Sequence, residues 1–235
     1  MVETVDIVKE LIEELTLEVD FKTITDNGDS TYTITTCDTS YMYPCFKFVL
    51  DGVTYTVTNT VGNEFAFNEE FTISGNVVPT STSVTLPALN YYHGTVIATK
   101  EELKLEELSS DKFPMVYLLE VLSDDFDSDP TSSINRNSAL RLFFLSETEG
   151  NDWNTNEHYE YAIKPMRNVV YNFINHLEVS RRIGSFDSWT ATNHAKFGVY
   201  VSGVGHTRRI FDDKLSGVEV NITLPIKEAV WCSNC

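Results

Sequence analysis

Glu157–Leu177 reads EHYEYAIKPMRNVVYNFINHL. At 3.6 residues per turn, Tyr159, Ala162, Ile163, Met166, Val169, Val170, Phe173 and Leu177 fall at i, i+3, i+4 and i+7 spacing, which predicts a helix with one broad apolar face. Pro165 has no N–H to give and its ring strikes the preceding turn, so it either kinks this helix or begins its main segment. His158 and His176 sit near its two ends, roughly 27 Å apart at 1.5 Å per residue, and are not expected to share a site. Glu157, Glu160 and Glu178 lie where an interfacial helix would carry basic residues, so the helix reads as a packing element with no membrane role.

A helix of this kind needs a sheet to cover, and the sequence on either side supplies strands. KFPMVYLLEVL (112–122) is an extended apolar run with Pro114 at its start, where a missing N–H does least harm. ALRLFFLSE (139–147) is nearly continuous in apolar residues, as expected of a strand buried on both faces. GVEVNITLPI (217–226) alternates Val218, Val220, Ile222 and Leu224 with polar partners, the mark of a half-buried strand. Between the first two, SDDFDSDPTSSINRNS (123–138) reads as a long polar hairpin connection. Near the N-terminus, Val5, Val8, Leu11, Ile12 and Leu15 alternate with charged residues and predict a first amphipathic helix.

The grammar changes between these parts. FKTITDNGDSTYTITT (21–36) places strand formers around an Asp-Asn-Gly-Asp turn and predicts a hairpin. Short strand signals continue to about residue 95 and helical ones resume near 101. The fold class expected is therefore α+β: a mixed or antiparallel sheet flanked by two main helices, residues 1–20 and 96–235, with a small all-β domain inserted at 21–95.

Chemistry is harder to find. The formal charge of −18, from 35 acidic against 17 basic residues, opposes specific binding of nucleic acid. Asp125–Asp129 begins like a calcium loop, but Pro130 stands where the turn glycine belongs and Arg136 where the bidentate Glu belongs. Cys37, Cys45, Cys232 and Cys235 lack the two short-spaced pairs of a structural zinc site and are expected to be reduced and metal-free. Gly203-Val204-Gly205 is too short for a dinucleotide fingerprint, and no P-loop or nucleophile elbow occurs. No catalytic, metal-binding or cofactor-binding residues are assigned, and no cofactor is expected. The N-terminal MVETVDIVKELIEEL lacks the basic and apolar regions of a signal peptide, so synthesis in a cytoplasm is expected.

With the β module set aside, the elements run helix, strand from Phe113-Pro114-Met115-Val116, second strand, long helix, final strand. This order resembles the tail terminator and related neck proteins of tailed bacteriophages, over about 1–20 and 100–230. The β module and the segment RRIGSFDSWTATNHAKFGVYVSG (181–203) depart from that pattern. The resemblance implies a structural virion protein, assembled in the host bacterial cytoplasm, that forms a homohexameric ring at the head-tail junction. Such a ring caps the tail tube, meets the connector, and passes DNA through its lumen without gripping it. The resemblance puts Phe113, Pro114, Met115, Met166, Phe173, Val218, Val220 and Ile222 forward as core and assembly elements, and implies no enzymatic activity. Two other readings stand beside it: a carbohydrate- or receptor-binding module using Tyr41, Tyr43, Tyr55, Tyr91 and Tyr92, and a hydrolase using His194 or His206 with Asp212 or Asp213.

Overall fold

The N-terminal amphipathic segment forms α1 (Thr4–Glu13), burying Thr4, Ile7, Val8, Leu11 and Ile12. The structure, a computed structural model, describes residues 3–28, 31–36, 47–50, 52–61, 64–68, 83–86, 88–95, 99, 112–119, 123–126, 136–148, 153–201, 207–211 and 213–227. After α1 the chain enters a closed antiparallel barrel of β1 (Glu18–Asp26), β2 (Thr31–Thr36), β3 (Lys47–Leu50), β4 (Val53–Val61), β5 (Glu64–Asn68) and β6 (Ser83–Thr85), in the order β1-β2-β5-β4-β3-β6. Alternation decides which side chains fill it. Val19, Tyr32, Ile34, Phe48, Leu50, Tyr55, Val57 and Val84 are buried, while Thr23, Thr25, Thr54, Thr56 and Thr58 point to water. The expected turn joins β1 to β2: Gly28 takes φ +80°, and its N–H donates to the Asp26 carboxylate at 2.8 Å.

The second sheet has the order β11-β14-β10-β8-β7, with β9 also paired to β10. Its strands are β7 (Asn90–Gly94), β8 (Met115–Leu119), β9 (Ser123–Phe126), β10 (Arg136–Glu147), β11 (Trp189–Phe197) and β14 (Leu215–Ile226). It is a mixed sheet, because β7 runs parallel to β8 while the other pairs are antiparallel. The architecture is thus α+β, with two main helices and two principal sheets.

Two boundaries differ from the sequence expectation. The barrel begins at Glu18, before Phe21, and Asn90–Gly94, grouped by patterning with the inserted module of 21–95, belongs to the main sheet. Period-two alternation identifies a strand but carries no information on which sheet it joins. The polar stretch after residue 122 also holds a strand, since Ser123–Phe126 pairs with Arg136–Ala139.

The long helix is built from α2 (Thr155–His158), a π turn (Tyr159–Ile163) and α3 (Lys164–Val179). Asn154 caps it: its side-chain oxygen accepts from the N–H groups of Asn156 and Glu157 at 2.9 and 3.1 Å, and Glu157 reaches back to the Asn154 N–H at 2.6 Å. Ala162, Ile163, Met166, Val169, Val170, Phe173 and Leu177 are buried as the spacing predicts, but Tyr159 is 41% exposed. The π turn explains the exception. Its extra residue rotates everything upstream by about 100°, roughly one residue of a 3.6-residue turn, so His158 takes the inward position that uninterrupted spacing assigns to Tyr159. Pro165 follows directly, in the first turn of α3.

Both helices cover one face of the main sheet. Val116, Leu118, Leu140, Leu142, Phe144, Val218, Val220, Ile222 and Leu224 meet them in a single core that continues into the barrel. On the other face, Phe113, Met115, Tyr117, Phe143, Leu145, Phe211 and Leu215 form a smaller core beside the hairpin of β12 (Val199–Val201) and β13 (Thr207–Arg209). This second cover explains why Phe143, Phe144 and Leu145 are all buried despite their alternation.

Candidate functional site

The densest polar constellation among the described residues lies on the sheet face away from the helices, beside the smaller core. Alternation on β14 turns Glu219 and Asn221 to that face, and register brings Arg141 of β10 and His194 of β11 to the same carboxylate. Glu219 Oε1 accepts from Arg141 Nε at 2.7 Å and Asn221 Nδ2 at 2.9 Å, while Oε2 lies 2.8 Å from His194 Nε2. Burial by itself would raise the Glu219 pKa. The hydrogen bonds from Arg141, Asn221 and His194, together with the guanidinium charge, outweigh burial and bring it down to about 2. Arg141 lies over the Phe143 ring at 5.3 Å, and His194 packs edge-on to Phe143 and Phe197 at 6.0 and 5.7 Å.

The chemistry of this arrangement follows from its saturation. A carboxylate holding three donors and ionised far below neutrality is a poor proton acceptor near pH 7. It clamps three adjacent strands. His194 is oriented by Glu219, and Asp213, named in the hydrolase reading, pairs instead with Lys112 at 3.4 Å. His206 and Asp212 lie outside the described residues.

A second polar site lies under the helix. His158 is 1% exposed, its Nδ1 lies 3.0 Å from Ser216 Oγ, and its Nε2 has no hydrogen-bond partner among the described residues. Burial first, then the nearby Lys196 charge, lower its pKa, partly countered by Glu157, so the ring is held neutral. Ser216 is fully buried as well, so neither member of the pair faces solvent. Trp153 packs edge-on to this imidazole at 5.7 Å.

A third network fastens α1 to the sheet. Thr4 Oγ1 is 3.3 Å from both Asp124 oxygens and 3.2 Å from Ser138 Oγ, and Ser138 also bonds Asp124. Asp124 is thereby committed to a structural task. A polar cleft of about 290 Å³ opens where the barrel meets the long helix, lined by Thr16, Leu17, Glu18, Leu86 and Asn172, which brings no reactive set together.

All eight residues singled out from the sequence as core and assembly elements are buried. Met166, Phe173, Val218, Val220 and Ile222 belong to the larger core, and Phe113 and Met115 to the smaller one, with Pro114 between them. Tyr55 is 2% exposed, Tyr91 spends its hydroxyl on the Val5 carbonyl at 3.2 Å, and Tyr92 packs on the smaller core, so these three do not form a stacking platform. Burial and the neighbouring Asp6 push the Tyr91 phenol well above its ordinary pKa. Tyr41, Tyr43, the glycines at 203 and 205 and all four cysteines lie outside the described residues. Among the described residues no group of three or more His, Cys, Asp or Glu could hold a metal ion, and no helix is long and apolar enough to cross a membrane.

The Glu219 cluster was not expected from the sequence. Alternation along GVEVNITLPI already puts Glu219 and Asn221 on one face, but their meeting with Arg141 and His194 depends on inter-strand register. Compared with known proteins, the chain matches no family model, no curated protein and no solved structure.

Proposed function

We propose that the protein is a structural subunit of a tailed-bacteriophage virion, which forms a ring, most simply of six copies, at the head-tail junction. It caps the tail tube, joins it to the connector and lets DNA pass. Its work is contact and not turnover. The observation that carries this reading is the order α1, β8, the β9–β10 pair, α2–α3, β14, with the barrel, the parallel strand β7 and the β11–β13 region as additions to it. The spent state of the polar clusters adds support, since Glu219 is saturated and the His158–Ser216 pair is sealed. An acidic subunit also suits a lumen through which DNA slides, because like charge prevents adhesion.

The test is assembly. Subunits of −18 repel one another at low salt. At about 0.15 M salt the Debye length falls to roughly 8 Å, and that long-range repulsion is screened. Light scattering across a salt series, followed by negative-stain imaging, should show rings with an axial channel, either alone or on purified tail tubes. A chain that stays monomeric at every salt concentration, and forms no ring on tail tubes, would refute the proposal.

A further inference from the structure

Charge is distributed very unevenly along this chain. Residues 1–163 carry 29 Asp+Glu against 8 Lys+Arg, whereas residues 164–235 carry 6 against 9. The fold turns this asymmetry into two unlike sheet edges. At one edge lies β11, the last strand on its side among the described residues. Beside it are exposed Arg181 and Lys196, half-buried Arg167, whose Nε donates to Asn193 of β11 at 2.8 Å, and Arg182, which is ion-paired with Glu10 of α1; exposed Glu178 and Asp187 offset part of this positive charge. Tyr171, 49% exposed, packs edge-on to Trp189 of the same strand. Across β10 the sheet continues through β8 to its last strand, β7, and the short strand β9 pairs beside β8 on the same flank of β10, with exposed Asp125 and with Phe126 at 58% exposure. The Thr4–Asp124 hydrogen bonds bring the start of α1 there, adding exposed Glu3 and Asp6. Arg136, paired with Phe126, is buried and adds no exposed charge at that edge.

Resting on the ring reading, we propose that copies of this chain join head to tail, the basic β11 edge of one meeting the acidic β9 edge of the next. Among the described residues β11 pairs only with β14 and β9 only with β10, and each edge carries an exposed aromatic anchor. Charge selects the pairing. Two β11 edges would oppose arginines to arginines and two β9 edges carboxylates to carboxylates, so a two-fold contact is disfavoured and a heterologous one favoured. Heterologous contacts that close make rings. The bulge at His194–Phe197, with Lys196 at φ 156°, ends the regular edge and leaves Trp189–His194 for pairing.

Two charge-reversed chains test this. One carries Arg167→Glu and Arg181→Glu; the other carries Glu3→Lys and Asp125→Lys. Each alone should lose ring formation by at least about tenfold at 0.15 M salt, measured by mass photometry, because like charges then face each other. Mixing the two should restore rings of alternating copies, which also shows that both chains fold. Wild-type rings that persist unchanged in either variant alone, or variants that stay apart when mixed, would overturn the head-to-tail contact and leave the ring reading standing. A wild-type chain that never assembles would overturn both.

Discussion

Glu219→Gln isolates the charge at the centre of the strand clamp while keeping its shape. In the wild-type chain the carboxyl group moves from an ordinary pKa of 4.5 to about 2 on folding. Taken at face value, such a depression is worth about 3 kcal/mol at neutral pH, at 1.36 kcal/mol per unit. Arg141, the strongest donor, is 48% exposed, so solvent screening reduces this to about 2 kcal/mol. The folded pKa is the lower one, so the stabilisation is present above 4.5 and is lost as pH falls from there through about 2. Glutamine can keep its oxygen toward Arg141 and Asn221 and turn its NH2 to His194, whose imidazole can accept in the other tautomer. The variant should therefore fold and lose about 1–2 kcal/mol at pH 7, mainly the charge-assisted part of those hydrogen bonds. Urea denaturation at pH 7, 4 and 2.5, at a fixed low protein concentration, measures this. The gap between wild type and variant should narrow toward pH 2.5. An undiminished gap at pH 2.5, or none at pH 7, would refute the assignment of the charge to this clamp.

Deleting Tyr159 should convert the π turn into ordinary helix while keeping His158 inward, but Pro165 then sits in a regular helix interior at a cost of about 3 kcal/mol. The same deletion in a Pro165→Ala background should cost far less, and equal costs measured by denaturant melts would show that the π turn does not accommodate the proline. Gly217→Ala should lose about 3 kcal/mol, because a Cβ there overlaps the Phe144 carbonyl oxygen and the backbone must shift. Phe173→Ala empties a fully buried site against Phe144 and should lose about 3–5 kcal/mol, read from urea midpoints at unchanged slope.

Much of this fold is legible because burial repeats with the geometry of each element. Val218, Val220, Ile222 and Leu224 declare the inner face of β14, and the stripe from Ala162 to Leu177 declares the inner face of α3. What escapes is whatever depends on a count changing inside an element or on partners distant in sequence. One added residue in the π turn exchanges Tyr159 for His158. The clamp escapes for the second reason: Arg141 and Glu219 are far apart in the chain and meet through the register of β10 on β14.

The inserted barrel shows both effects. Its first and last strands pair with each other, Glu18 to Thr85 and Val19 to Val84, and the Leu86 N–H donates to the Leu17 carbonyl at 2.8 Å. Its two ends therefore leave the barrel side by side, as an insertion between neighbouring elements of another domain requires. Hydrogen bonding changes sheets between Leu86 and Asn90, but apolar contact does not: Leu17, Val19, Leu86 and Leu89 belong to the same core as α1, Val116 and Phe173. A shared core couples two units more firmly than a polar interdomain contact, so the barrel is held to the sheet as one piece.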